Sequence, residues 1–517
     1  MAETGPKQRS DRRGRRGPVL GRLTPTQPRP NAPVMIDLRP VAYVIGLLVA
    51  CLGATMLVPM LVDIAEGRGH WPVFAQSAIV TMLSGGLIAL ATANAVREGL
   101  TLQQTFLLTT GVWLALPIFG ALPFAFGATE ARFIDAFFEA MSGLTTTGST
   151  VFSDLETLPK GLLLWRGLLQ WIGGIGIIVV AMVFLPELRV GGMQIFRSEG
   201  FDTMGKILPR ATQIATSISS IYVALTLACA AAYLFAGMTP FDASVHAMTT
   251  LATGGFANYD ASFAALPPAA EYIAAVFMLL AALPFVRYVQ VSAMRDVKPL
   301  LVDPQIRGFL LTAITIITIV TLWRLATGGA SGEEGVRKVL FNVVSILTGT
   351  GYASDDYGGW GAFAVVLFFF VGLIGGCAGS TVCSVKIFRY QLLLASIKVQ
   401  MRRIRAPHGV FIPRYDGRPV SDEVLGSVIS FFVFFVVTLG VLAVALSMTG
   451  LDFITSLSGA ATALANVGPG LGDEIGPSGN FAGLNDTAKW ILCFAMLAGR
   501  LELLAVYALF TLRFWRA

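Results

Sequence analysis

The stretch Leu144–Thr150 reads LTTTGST, a run of hydroxyl side chains and one glycine inside a chain that is 55% hydrophobic. Such a run makes a poor helix and a poor strand. At membrane depth, backbone outside regular structure is tolerated only where it is buried in protein or lines a cavity. What this run faces therefore decides the architecture.

The surroundings of the run are membrane-like. A chain of 517 residues with 13% charged residues and a mean hydropathy of +0.71 lies outside the range of ordinary soluble proteins. Ten apolar stretches approach the roughly 20 residues needed to cross a bilayer. They run from near Val41 to Ile64, Val73 to Ala95, Leu102 to Phe126, Leu162 to Pro186, Ile214 to Phe235, Tyr272 to Val289, Phe309 to Ala326, Ala362 to Leu394, Val424 to Met448 and Trp490 to Phe510. The eighth carries GGCAGS in its middle, which reads as two segments joined by a non-helical break.

Lysine and arginine accumulate on alternate connections: nine in residues 1–39, four in 187–212, four in 287–307 and eight in 386–419. The opposite connections, 256–270, 352–360 and 469–487, hold none, and Asp355, Asp356, Asp473 and Glu474 stand there instead. By the positive-inside rule, ten spans then put both termini in the cytoplasm. The net charge of +6 is mostly this topology signal, and no nucleic-acid partner is expected. Pro25, Pro28, Pro30 and Pro33 make the basic N-terminus an extended arm, without the apolar core and cleavage site of a signal peptide. The five cysteines all fall in apolar spans and lack metal-ligand spacing to the three histidines, which argues against disulfides and zinc.

LTTTGST has three relatives. DAFFEAMSGLTTTGST, DASVHAMTTLATGGFA, KVLFNVVSILTGTGYA and TSLSGAATALANVGPG align without gaps on Gly148, Gly255, Gly351 and Gly468. A leucine stands four residues before each glycine (Leu144, Leu251, Leu347, Leu464), and Ala140, Ala247, Val343 and Ala460 stand eight before. Positions four apart share one face of a helix. Each copy therefore reads as a short helix, too short to cross, followed by a loop. Four such units around an axis would set four glycine loops at one level, with main-chain carbonyls free to replace the water around a cation. The candidate ion-binding residues are Thr146, Thr147 and Gly148; Thr253, Gly254 and Gly255; Gly349, Thr350 and Gly351; and Asn466, Val467 and Gly468. NVGPG at Asn466–Gly470 has the spacing of the potassium-channel filter TVGYG. Ser149 and Gly349 depart from that pattern, which points to a looser selectivity.

With these loops the chain resembles the superfamily of potassium transporters that includes TrkH, TrkG, KtrB and HKT. QWIGGIGIIVVAMVFLP, ALPFVRY, IGGCAGST followed by Lys386, and AMLAGRLELL extend the likeness from about residue 40 to the C-terminus. The two spans ahead of the first repeat favour the TrkH/TrkG branch. The resemblance implies an all-α polytopic membrane protein with ten transmembrane helices, divided as a basic arm (1–39), two extra helices (40–98) and four membrane-pore-membrane repeats (99–211, 212–306, 307–420, 421–517). It implies a homodimer in the bacterial inner membrane, potassium as the transported ion, no cofactor in this chain, and a cytosolic TrkA-like nucleotide-binding subunit that gates the pore. It also implies that Gly375, Gly376, Gly379, Ser380, Thr381 and Lys386 belong to an intramembrane gate loop, and that Arg500 narrows the pore below the filter. Val382, Cys383 and Ser384 replace glycines usual in that loop, so a stiffer gate is expected here. Read without the family, Arg500 has a plainer alternative, an ion pair with Glu502 or Glu187. A sodium-permeable or sodium-coupled KtrB-like transporter is the alternative function. Some sodium-passing relatives carry serine at the first-loop glycine, and Gly148 argues against that here. An enzyme is not expected, since no catalytic constellation lies in the spans.

Overall fold

The computed structural model describes residues 36–67, 69–95, 100–183, 211–329 and 332–516. The basic arm lies almost wholly outside them, as does Glu187. Among the described residues seven helices are long and apolar enough to cross a membrane: Arg39–Ala65, Trp71–Thr92, Leu102–Phe126, Lys160–Val180, Gln213–Phe235, Pro304–Ala326 and Asp422–Ser447. An eighth is counted if Pro268–Ala281 and Phe285–Met294, bent by 85°, form one span. Polar caps set several starts. Thr101 and Gln104 make a reciprocal capping box, and Asp303 and Ser421 accept from the first-turn amides of their helices.

The count falls short of the ten expected spans because three of them are broken, each for a local reason. Pro284 splits the sixth, since the residue before a proline is pushed out of the helical region. In the eighth, helix Ala362–Leu373 stops and the chain runs irregularly from Ile374 to Lys386 before helix Ile387–Arg405. In the tenth, helix Asp486–Arg500 ends at Glu502 and Leu503, both with positive φ. Arg500 therefore closes a helix instead of sitting inside a continuous one.

Between the long helices stand four short ones, Phe133–Leu144, Pro240–Leu251, Gly332–Leu347 and Phe453–Ala465. At 1.5 Å per residue none reaches across a bilayer. The leucine and the small residue one turn before it anchor a separate apolar core in each case. Ala140 and Leu144 pack with Trp165 and Phe124, and Ala247 and Leu251 with Tyr222 and Phe263. Val343 and Leu347 pack with Phe309 and Cys377, and Ala460 and Leu464 with Phe138 and Met496. The following helices press close on these ends: a Cβ at Gly173 would lie 1.9 Å from the Leu144 carbonyl oxygen, and one at Gly499 would lie 2.0 Å from that of Leu464. All five cysteines are free.

Candidate functional site

The four short helices end in the same way. The amide of the residue just before each glycine donates to the carbonyl five residues back: Thr147 to Ser142, Gly254 to Thr249, Thr350 to Ser345 and Val467 to Thr462, at 2.8–3.0 Å. The preceding amide bonds three residues back, completing a Schellman motif. The motif needs a left-handed residue, and Thr146, Thr253, Gly349 and Asn466 fill that place with φ of 52°, 49°, 66° and 54°. Glycine and asparagine accept this conformation readily, whereas threonine, branched at Cβ, is strained in it. The chain then turns again at Gly148, Gly255 and Gly351, at φ of 88°, 79° and 83°. Gly468 lies outside that region because Pro469 follows it and restricts its backbone.

The loops meet one another in cyclic order. A Cβ at Gly148 would lie 2.1 Å from the Gly254 carbonyl oxygen, and one at Gly255 would lie 1.9 Å from that of Thr350. One at Gly351 would lie 2.7 Å from the Gly468 nitrogen, and one at Gly468 would lie 3.2 Å from the Thr147 and Gly148 carbonyl oxygens. First touches second, second third, third fourth, and fourth first. All four glycines line one vestibule, together with Ser149, Asp260 and Pro469.

Side chains absent from the sequence expectation lock this ring. Arg166 and Glu139, both almost fully buried, pair at 2.8 Å behind the first loop. The Glu139 carboxylate also accepts from Thr150 Oγ1 and the Val151 amide, while Arg166 donates to the Ala257 carbonyl at 2.7 Å and stacks over the Phe256 ring. One ion pair thus ties the first loop to the second. Gln170, a turn further along, donates to the Gly254 carbonyl at 2.6 Å and accepts from the Phe256 amide at 3.1 Å. Asn466 donates to Thr147 Oγ1 and to the Met496 carbonyl, both at 2.9 Å. A signal for part of this lay in the repeats: six residues before each glycine stands a hydroxyl, Ser142, Thr249, Ser345 or Thr462. Ser345 and Thr462 donate to the carbonyls of Tyr352 and Pro469, each one residue past its glycine, at 2.7 Å.

The first and second short helices each carry a carboxylate in their first turn, Asp135 and Asp242, but neither caps its helix. Asp135 pairs with Arg132 and with buried Lys489, and Asp242 accepts from Asn258 and Tyr259. Thr239 and Asp452 are the actual caps of the second and fourth helices. Burial, with the Asp242 carboxylate beside it, pushes the Tyr259 phenol up to about 12. The acidic residues of the rim hold loops in place: Asp260 accepts from the Asp154 and Leu155 amides of the connection after the first loop, and Asp355 accepts from Trp360 within its own.

Beneath the ring lies the irregular Ile374–Lys386 stretch. Thr381 meets the Thr253 hydroxyl at 3.1 Å, the Cys377 amide donates to Ala282, and the Phe285 amide donates to the Gly379 carbonyl. Gly375 is packed too tightly for a side chain, its Cβ position 2.2 Å from the Cys383 carbonyl oxygen, and Gly376 lies close against Ala282 and Val382. Ser380 bonds the Cys377 carbonyl, and buried Lys386 reaches the Val382 carbonyl. Arg500, 2% exposed, spans from this stretch to the first repeat: it donates to the Thr381 carbonyl at 3.3 Å and to the Gly173 carbonyl at 3.0 Å, and touches Cys383 Sγ at 2.6 Å. Glu502 is not its partner; that carboxylate pairs with Arg389. Val382, Cys383 and Ser384 are each held, Ser384 by bonds to the Ala465 and Gly372 carbonyls at 3.0 Å. Among the described residues no group of three or more His, Cys, Asp or Glu could hold a metal ion.

This arrangement has counterparts among known proteins. The family model described as TrkH, cation transport protein, matches residues 70–515. The chain is 46% identical over 479 residues to the Trk system potassium uptake protein TrkI of Halomonas elongata, covering 92% of this chain and 97% of that one. It is 36% identical over 484 residues to TrkH of Escherichia coli K12, covering 92% and 99%. The crystal structure of the potassium transporter TrkH from Vibrio parahaemolyticus matches with a TM-score of 0.85 at 34% identity, over 93% of this chain and all of that one. With its membrane-spanning helices and its breadth of match, the chain is a multi-pass transport protein, not an enzyme, and belongs to the TrkH family of cation transport proteins.

Proposed function

We propose that this chain is the ion-translocating subunit of a bacterial Trk-type potassium uptake system, passing potassium inward through a filter of main-chain carbonyls. The observation that carries this reading is the closed ring in which Gly148, Gly255, Gly351 and Gly468 abut one another in cyclic order and line one vestibule. Threonine hydroxyls of the first and third loops turn back to their own helix ends, Thr147 to Thr145 and Thr350 to Thr348, which leaves carbonyls to meet the ion. The relatives named as potassium uptake proteins support the choice of ion.

In this reading the units 99–211, 212–306, 307–420 and 421–517 are four repeats around the pore, and residues 40–98 are two helices outside it. The Ile374–Lys386 stretch is the gate, and Arg500 holds it shut by bridging Thr381 and Gly173. Opening requires those bonds to break, and a cytosolic nucleotide-binding subunit of the TrkA type supplies the work. The protein acts as a homodimer in the inner membrane, with both termini cytoplasmic.

Rubidium uptake into proteoliposomes, with sodium and caesium as competitors, tests the reading. Uptake inhibited by potassium well ahead of sodium is expected, and Gly148→Ser should lower that preference. Equal competition by the two ions, or an unchanged ratio in Gly148→Ser, would overturn the filter assignment.

A further inference from the structure

At the residue just before each glycine, the four loops fall into two opposite pairs. In the first and third, no hydrogen-bond donor among the described residues meets the Thr147 or Thr350 carbonyl. In the second and fourth the carbonyl is taken. Gln170 donates to Gly254 at 2.6 Å, and the Thr462 hydroxyl, shared with the Pro469 carbonyl, lies against that of Val467. The fourth loop differs further in the turn of its backbone. Gly148 and Gly255 face the carbonyl oxygens of Gly254 and Thr350, whereas Gly351 faces the Gly468 nitrogen, 2.7 Å from its Cβ position. The Val467–Gly468 peptide thus presents its amide where the next loops presented oxygens, and Gly468 is the signature glycine without a positive φ.

We infer that the ring is two-fold rather than four-fold at this level: a cation there meets the Thr147 and Thr350 carbonyls at full strength, while Gln170 draws on that of Gly254, which keeps its place in the ring, and Thr462 holds back that of Val467. This rests on the filter reading above. A carbonyl that already accepts a hydrogen bond has a fixed direction and less field left for an ion. Discrimination in such a ring depends on the number and strength of its carbonyl dipoles. With one of four withdrawn and one weakened, water completes the shell, and sodium, which holds its water more tightly than potassium, is excluded less strictly. Thr462 and Gln170 are positioning residues that set how strictly this protein separates potassium from sodium.

The potassium-to-sodium ratio of the full-length protein in proteoliposomes tests this. Thr462→Val removes the hydroxyl at nearly constant volume and should raise the ratio about fivefold, the factor that one net hydrogen bond represents. Thr462→Ser, which keeps the hydroxyl, should return the wild-type value; a general packing defect would not be rescued in that way. An unchanged ratio in Thr462→Val, while Gly148→Ser lowers it, overturns the inference and leaves the filter standing. If Gly148→Ser is also silent, the filter reading falls and takes the inference with it. Should Thr462→Val not be recovered folded, a structure of the wild-type protein in thallium decides. The Val467 carbonyl is expected on Thr462 and off the ion, and thallium ligated by Val467 together with Thr147 and Thr350 refutes the inference.

Discussion

The Ser149 hydroxyl donates to the Gly468 carbonyl at 2.7 Å, joining the first loop to the fourth across 319 residues of sequence. Side chains also bind the first loop to the second, through Arg166 and Gln170, and the second to the third, through the Tyr352 hydroxyl at the His246 carbonyl. The residue that breaks the filter pattern of the first loop thus joins Asn466 in fastening the ring's first and last members.

Ser149→Ala should loosen that seam at a cost of about 1 kcal/mol, the ordinary net value of a hydrogen bond. We expect reduced preference for potassium over sodium in rubidium competition, with Ser149→Thr close to wild type. Equal ratios in all three proteins would show that the seam does not set selectivity.

Glu139 and Arg166 form a buried pair, so losing one partner strands a charge among apolar groups. Glu139→Ala should cost about 3–5 kcal/mol, read as a large fall in melting temperature in detergent or as loss of monodisperse protein. Arg132→Ala, which breaks exposed pairs with Asp135 and Asp486, should leave the melting temperature close to wild type. Similar losses in the two variants would contradict the assignment of the buried pair as the brace.

The first two long helices are clasped to the helices that follow through Asp63. Fully buried, it accepts from the Gly161 amide at 2.7 Å and bonds His70 at 2.8 Å, and His70 Nε2 accepts from the Ala128 amide at 3.1 Å. Asp63→Ala leaves buried donors unpaired and should destabilise by about 1–3 kcal/mol. In a double-mutant cycle with His70→Ala the two effects should be non-additive, because they share one network; strict additivity would argue against the clasp.

Gly499 packs against the backbone of Leu464, where no flexible side chain can give way. Gly499→Ala should therefore shift the fourth helix and cost about 1–3 kcal/mol as overpacking, visible in thermal unfolding. Gly426→Ala, where an added Cβ meets nothing within 4 Å, is the matched control and should be neutral or slightly stabilising.

Arg500→Gln removes the charge that links Thr381 to Gly173, and should raise rubidium flux in the absence of any cytosolic partner. Flux that stays at the wild-type level would count against Arg500 as a holder of the gate.

The sequence by itself determined much of this protein, because local chemistry suffices for it. Hydropathy over 20-residue windows set the membrane class. The spacing of Ala140, Leu144 and Gly148, repeated three times, set four short helices with glycine-ended loops. Thr146, Thr253, Gly349 and Asn466 stand at equivalent places because one backbone turn serves all four. Tertiary structure decided what these loops do to each other. Sequence spacing could not tell that Glu139 and Arg166 meet, that Gln170 clamps the second loop, or that Glu502 belongs to Arg389 and leaves Arg500 to the Thr381 carbonyl. Apart from Glu139 and Arg166, 27 residues apart, these partners lie more than 80 residues apart in the chain, and only the closing of the ring brings donor and acceptor within hydrogen-bond distance. The breaks at Pro284 and Leu503 were equally hidden, since an apolar run reads as one span until packing shows where its backbone turns.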